Sequence, residues 1–229
     1  MGRIKMFGVI PRAKHLTPQQ FHDHYRHPHG TLGRNISPFK AYSQAHQFHT
    51  DLLDERQTRF EACAEVWFDN WTDAVGLGDE PIYLRDVKVD EPNFVDLENL
   101  CWVFVEEEVI CSGPDIRENI PAADKLWRLD NRATSCKITQ FVEKDGAVPW
   151  AQDDDFELGR RIGALRHVRG RPSPEIHPDG AFAIGVRELY WPTQTAMETG
   201  IAADKAAWHA LIDRPAVATT YAAIAERFI

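Results

Sequence analysis

Six of the ten histidines fall between His22 and His49: His22, His24, His27, His29, His46 and His49. Imidazole is the side chain whose ordinary pKa, ~6.5, permits proton transfer near neutral pH. Tyr25 and His29 are four residues apart, so a helix would place them on one face, with Phe21 a further turn away. An imidazole and a phenol in one apolar cavity can remove one proton and donate another. That chemistry suits elimination, decarboxylation or enolisation. The expected catalytic set is His29, as base or acid, with Tyr25 and His46 assisting. Phe21, His24, Tyr42 and Trp67 are the expected substrate-binding residues.

Each of these side chains also has a plainer role. Phe21 and Tyr25 read first as core, and a buried phenol needs a polar partner whether or not it takes part in catalysis. Trp67, Trp71 and Trp102 fit sheet packing. His22, His27 and His49 fit a solvated surface, and His24 divides evenly between the two roles. A metal site built from His29 and His46 with Asp51 or Glu65 ranks below metal-free acid–base chemistry, because no H-E-x-x-H pair occurs. No metal or other cofactor is therefore expected. Asp90-Glu91 reads as turn chemistry, and Glu106-Glu107-Glu108 as a solvated strand edge. Arg160, Arg161, Arg166, Arg169 and Arg171 form a basic face that could meet a substrate carboxylate. Trp208-His209 is a weaker second site. No phosphate-binding loop, nucleophile elbow or dinucleotide fingerprint appears.

Helix and strand signals place these groups. Ile4–Ile10 is a short apolar run stopped by Pro11, a strand. Leu16-Thr17-Pro18-Gln19-Gln20-Phe21 carries an N-cap, a proline at the first helical position and a capping box, so a helix starts at Pro18. Pro28 should end or kink it. Further strands are expected at 39–48, 60–68 and 100–110. A helix is expected at 70–78 and a loop at 86–96. The order β-α-β-β-α-β is that of a ferredoxin-like unit.

The pattern recurs. Lys137–Val142 parallels Lys5–Ile10, Glu188-Leu189-Tyr190-Trp191 parallels Glu65-Val66-Trp67-Phe68, and Glu226–Ile229 parallels Glu107–Ile110. A tandem duplication follows: a first unit over 1–111, a linker over 112–135 that is helical around 122–129, and a diverged second unit over 136–229. Each unit alone would have a modest core.

Length, charge and cysteines bound the rest. The 229 residues carry 26 Lys and Arg against 35 Asp and Glu, a net charge of −9, which excludes a general nucleic-acid binder. No apolar run approaches the ~20 residues of a membrane helix, and the first residues lack a signal peptide, so the expected location is cytoplasmic with no membrane partner. Cys63, Cys101, Cys111 and Cys136 make no metal-ligand spacing and are expected as reduced thiols.

The first half resembles the EthD family of dimeric α+β barrel proteins. The resemblance rests on Leu16–Phe21, Tyr25, His29-Gly30, Tyr42–His46, Ala64–Asp69, Asp90-Glu91 with Phe94, and Val105–Glu108. The second half lacks a counterpart of His29-Gly30. The resemblance implies an α+β fold in which two ferredoxin-like (βαββαβ) units form a dimeric α+β barrel-type arrangement within one chain. It also implies a cavity between sheet and helices. The function it suggests is a cofactor-independent lyase, a dehydratase or decarboxylase, acting on a small aromatic or polyketide-like compound. The alternatives are a non-catalytic ligand-binding or oxygenase-accessory protein, and a cofactorless monooxygenase. The expected partners are a small-molecule substrate and, at most, a second copy of the two-unit chain in a homodimer.

Overall fold

Every residue of β1 (Ile4–Ile10) is buried. A sheet with one face in water would bury only alternate residues, so both faces of this strand must be covered. Phe7 and Val9 point into the middle of a closed barrel, while Met6, Gly8 and Ile10 point outward beneath helices. The computed structural model describes residues 4–53, 60–112 and 133–229. The other strands are β2 (Ala41–Phe48), β3 (Ala62–Phe68), β4 (Cys101–Ser112), β5 (Thr134–Lys144), β6 (Arg166–Pro172), β7 (Gly185–Trp191) and β8 (Val217–Arg227).

The barrel closes in the order β1-β3-β2-β8-β5-β7-β6-β4. Read by halves, this is β4-β1-β3-β2 followed by β8-β5-β7-β6, the ferredoxin-like strand order twice. The antiparallel pairs β2–β8 and β4–β6 join the halves. Closure removes the free edges that each half-sheet would expose alone. The fold is thus an α+β protein in which two ferredoxin-like halves share one eight-stranded antiparallel barrel. Among the described residues no helix is long and apolar enough to cross a membrane.

The helix predicted from Pro18 is α1 (Pro18–His24). Thr17 Oγ1 accepts the Gln20 amide hydrogen at 3.2 Å, and Gln20 Oε1 accepts that of Thr17 at 2.9 Å. The helical path kinks at Pro28, as expected. Irregular turns over Tyr25–Gly30 contain an extended His27 and a cis His27–Pro28 peptide, and lead into α2 (Thr31–Gly33). The predicted helix at 70–78 is α3 (Trp71–Val75) with a following tight turn at Gly76–Asp79.

The expected loop at 86–96 is a correction: it is helical, through Tyr83–Val87, α4 (Lys88–Asp90) and Glu91–Asn93. Val87, Phe94 and Val95 anchor it to the core, too few apolar positions to show a helical period. The second half adds α5 (Asp155–Arg161), α6 (Gln194–Ala203) and α7 (Lys205–Ile212). The predicted linker loses its ends to β4 and β5, and its expected helix at 122–129 lies outside the described residues.

Register tests the duplication. Lys5 stands opposite Trp67, and Lys137 stands opposite Tyr190. That matches the paired motifs. The third motif slips by one: Lys5 faces Val105 and Lys137 faces Ala223, so Glu107 corresponds to Ala225 rather than Glu226. A one-residue slip reverses which face a side chain takes. Accordingly Glu107 is buried and Glu226 sits outside. Glu106–Glu108 is no free edge either, since β4 pairs with β6 along this stretch.

The matched residues meet inside the barrel. Lys5 Nζ donates to Glu65 at 3.0 Å and to Glu188 at 2.6 Å. Lys137 donates to the same two carboxylates, and the Tyr190 hydroxyl donates to Glu188 at 2.6 Å. Lys5 also lies over the Trp67 ring at 4.2 Å. Burial opposes charge on Glu188, but Lys137 and Lys5 outweigh it and hold its carboxyl below the usual carboxylate range. These four charges balance, and burial raises the carboxyl of Glu107, which lies 4.0 Å from Lys5. Removing one leaves an uncompensated ion in an apolar interior.

Glu188→Gln should therefore lower stability by about 3–5 kcal/mol in urea unfolding. A loss under about 1 kcal/mol would mean that the cluster is hydrated rather than buried. Residues 1–112 and 133–229 produced separately are expected to lack cooperative unfolding, because each leaves two sheet edges open.

Candidate functional site

Outward-facing residues of β1, β2, β3 and β4 and the helical segments above them enclose a cavity of about 520 Å³. This is within the range of small-molecule sites. Its wall is mostly apolar: Met6, Ile36, Val66, Val87, Phe94 and Phe104 are among its lining residues. Its polar groups are His29, Tyr42, Tyr83, Glu91 and Glu175.

His29 is 7% exposed and lies in this wall. Its Nδ1 is 3.0 Å from Asp90 Oδ2. Asp90 also meets His24 Nε2 at 2.9 Å and accepts from Asn93 Nδ2 at 3.1 Å. Burial works against the Asp90 charge. Hydrogen bonds from His29, Asn93 and His24 overcome it and bring the carboxyl down to about 2. Asp90 is thus an anion that accepts a hydrogen bond from Nδ1–H of His29, which leaves Nε2 as the unprotonated nitrogen facing away from it. The Phe94 ring packs edge-on against the imidazole at 4.6 Å and fixes its plane. Expecting Asp90 to serve only turn chemistry is corrected here. The signal lay in its distance in sequence from His29, which only the fold closes.

Tyr42 is the second polar group of the wall. Gln44 Nε2 donates to the Tyr42 hydroxyl at 2.8 Å and to the Tyr25 carbonyl at 2.6 Å. One lone pair of the phenol is therefore occupied, and its own proton remains to donate. Burial lifts the Tyr42 pKa above the ordinary range, against the hydrogen bond from Gln44, so the group stays protonated. Gly30 and Gly33 permit this packing. A Cβ on Gly30 would fall 2.5 Å from the Phe228 ring and 2.8 Å from Gln44 Nε2, and one on Gly33 would fall 3.1 Å from the Tyr42 ring.

The remaining predicted residues go elsewhere. Tyr25 and Phe21 are fully buried behind the cavity, in one cluster with Phe94. The Tyr25 ring lies tilted 5.7 Å from His29 without lining the cavity. His24 supports Asp90 from the outer side. Trp67 points into the barrel, over Lys5, and does not meet a cavity ligand.

His46 is also displaced from the expected trio. It occupies a separate cluster with its Nδ1 2.9 Å from His22 Nδ1 and its Nε2 3.2 Å from Gln44 Oε1. Since both Gln44 amide hydrogens are used, His46 Nε2 donates to Oε1 and His46 Nδ1 accepts from His22. Burial, then Arg26 and His22, lower the His46 pKa to about 2. His22 is no bare surface residue, while His27 is exposed and bonds Thr31.

The second half is packed where the first is open. Trp191, Met197, Ile201, Trp208, Leu211 and Ile212 fill the corresponding layer. Trp208 is core, and His209 is exposed beside Asp213 at 2.9 Å. The arginine face is neutralised: Arg160 binds Glu157, Arg161 binds Asp204, and Arg169 and Arg171 bind Glu108. Arg166 donates to Ser112. Asp155 gathers Arg169, Arg187 and Arg214, at 2.7–3.1 Å. These pairings occupy the arginines with carboxylates of the chain itself. Among the described residues no group of three or more His, Cys, Asp or Glu is placed to hold a metal ion.

Residues 13–98 match the model of the EthD domain, and most of the residues that line the cavity lie in that stretch. No curated protein matches the chain. Whole-chain structural similarity is broader. An anthrone oxidase-like protein superposes with a TM-score of 0.57 at 11% identity, covering 100% of this chain and 92% of its own. A "putative monooxygenase" from Fusobacterium nucleatum subsp. nucleatum ATCC 25586 gives 0.55 at 10% identity, with 100% and 93% covered. Chlorite dismutase from Candidatus Nitrospira defluvii gives 0.51 at 9% identity, with 98% and 91% covered. At such identities the likeness is one of fold: dimeric α+β barrel halves paired within one chain.

His46 makes stability pH-dependent. Its folded pKa is depressed, so the unfolded chain binds the extra proton, and stability falls as pH drops below about 6.5 towards 2. Replacing His46 with Gln should reduce the slope of unfolding free energy against pH by up to about 1.4 kcal/mol per pH unit in that window. Urea titrations at several pH values measure it, and an unchanged slope would show that His46 is hydrated. Gly30→Ala should destabilise by about 1–3 kcal/mol through overpacking.

Proposed function

We propose that this protein is a cofactor-independent monooxygenase acting on a neutral aromatic compound with an acidic C–H. The observation that carries the reading is the His29–Asp90 pair. The imidazole belongs to the wall of a mostly apolar cavity. His29 Nε2 takes a proton from a methylene flanked by aromatic or carbonyl groups. The carbanion delocalises onto an oxygen, which accepts a hydrogen bond from the Tyr42 phenol. A donor held neutral and already positioned stabilises that charge without reorganising solvent.

The delocalised carbanion passes electrons to dioxygen, and a C–O bond forms to give a hydroperoxide. Loss of water, with the second C–H proton leaving to base, yields a carbonyl. One atom of dioxygen ends in the product and one in water, and the substrate supplies both electrons beyond the new bond. The chain's part is to bind, deprotonate and exclude water.

The apolar wall supports this reading, as do fold relatives named monooxygenase and anthrone oxidase-like. A lyase could use the same first step. The lyase that the sequence suggested draws no support from those relatives.

An oxygen electrode separates the two. With an enolisable aromatic substrate, dioxygen uptake should equal product formed, and 18O2 should label the product carbonyl. Turnover that proceeds unchanged without oxygen would overturn the oxygenase reading. His29→Ala should lower kcat at least about 100-fold, the scale of a lost general base, with the unfolding midpoint little changed. Asp90→Asn should lower kcat about tenfold or more by releasing the imidazole tautomer.

A further inference from the structure

The cavity is charged on one side only. No Lys or Arg lines it among the described residues, whereas two carboxylates, Glu91 and Glu175, do. They come from different halves of the chain.

Glu91 belongs to the helical segment that also supplies Asp90. The Tyr83 hydroxyl donates to Glu91 Oε1 at 3.1 Å, and both residues line the cavity. That bond fixes the carboxylate and leaves its second oxygen for another donor. Burial raises the Glu91 carboxyl, while Tyr83 and Lys88 act against the rise.

Glu175 arrives from the connection between β6 and β7. This loop is clipped to β4 on both sides of one residue. The Ser173 amide donates to the Phe104 carbonyl at 2.9 Å, and the Phe104 amide donates to His177 Nε2 at 2.9 Å. Ser173 Oγ then donates to Glu175 Oε2 at 3.0 Å. With Ile176 and Pro178, Glu175 completes the wall of a cavity otherwise built by the first half.

We propose that Glu91, held by Tyr83, and Glu175, supplied by the second half, make this cavity selective for neutral hydroxylated aromatics over carboxylate-bearing ones. The assignment rests on reading the cavity as the substrate site. A ligand hydroxyl donates to a fixed carboxylate, a charge-assisted bond stronger than a neutral one. A ligand carboxylate meets like charge in a wall that, among the described residues, no Lys or Arg lines. The diverged half thus contributes selectivity, while proton abstraction stays with the first.

The test uses the full chain and two probes of similar size, 2-naphthol and 2-naphthoate, titrated calorimetrically at pH 7.5. The wild type should bind 2-naphthol at least about tenfold more tightly, the size of one hydrogen bond to a charged group. The isosteric double variant Glu91→Gln/Glu175→Gln should bring the two affinities within about threefold. Tyr83→Phe should narrow the ratio partially, and thermal melts confirm that each variant is folded. Equal affinity for both probes in the wild type, binding of neither, or an undiminished ratio in the folded double variant would overturn the proposal. Because the readout is binding, selectivity that survives alongside absent oxygen uptake would refute the monooxygenase reading alone.

Discussion

Two lysines and two glutamates buried at the centre of one barrel constrain everything around them. Lys5 and Lys137 each reach both Glu65 and Glu188, so ion pairs run between the halves as well as within each. Each half supplies one cation and one anion to a shared set. Burying any of them unpaired is costly, and the halves must therefore close on each other in one register. A sheet slipped by a single residue would turn these charges into the helix layer and bring apolar groups inward. The ionic cluster thus fixes the strand pairing that aims Met6, Gly8 and Val66 outward into the cavity.

The two outer layers solve the same packing problem differently. Over the first half-sheet, small residues at Gly8, Gly33 and Ala64 leave space, and the cavity opens. Over the second, tryptophans at 191 and 208 and the aliphatic face of α6 and α7 fill it. Further along, Asp155 and three arginines form an ion network where the first half has Ala64 and Gln44. An ordered core in one half supports an open site in the other. The second half also lends Phe228, against Tyr42 at 5.4 Å, and the loop carrying Glu175.

Much of the scaffold was legible from short stretches. Thr17-Pro18 with Gln20 announced α1, because capping is satisfied within four residues. Apolar runs located the four strands of the first half, and the parallel between Lys5–Glu65 and Lys137–Glu188 marked the duplication. His29 was legible through its four-residue spacing from Tyr25, and Tyr42 stood among the expected substrate-binding residues. The helical segment around Asp90 was not, since its anchors are few and its remaining residues face water. Glu107 was misassigned to a solvated edge because burial there depends on pairing with β6, a strand of the other half.

By itself the sequence determined the local elements, the doubled βαββαβ order and which residue types could move a proton. Those depend on contacts a few residues apart or on simple periodicity. Tertiary structure alone decided which of the six clustered histidines meet a carboxylate. It set His29 and His24 on Asp90, at 3.0 and 2.9 Å and across two strands and a helix, and turned His46 to His22 instead. It also decided that one half would be open and the other filled. Pairing across long separations is set by barrel closure and side-chain volume, and neither quantity is written in any one segment.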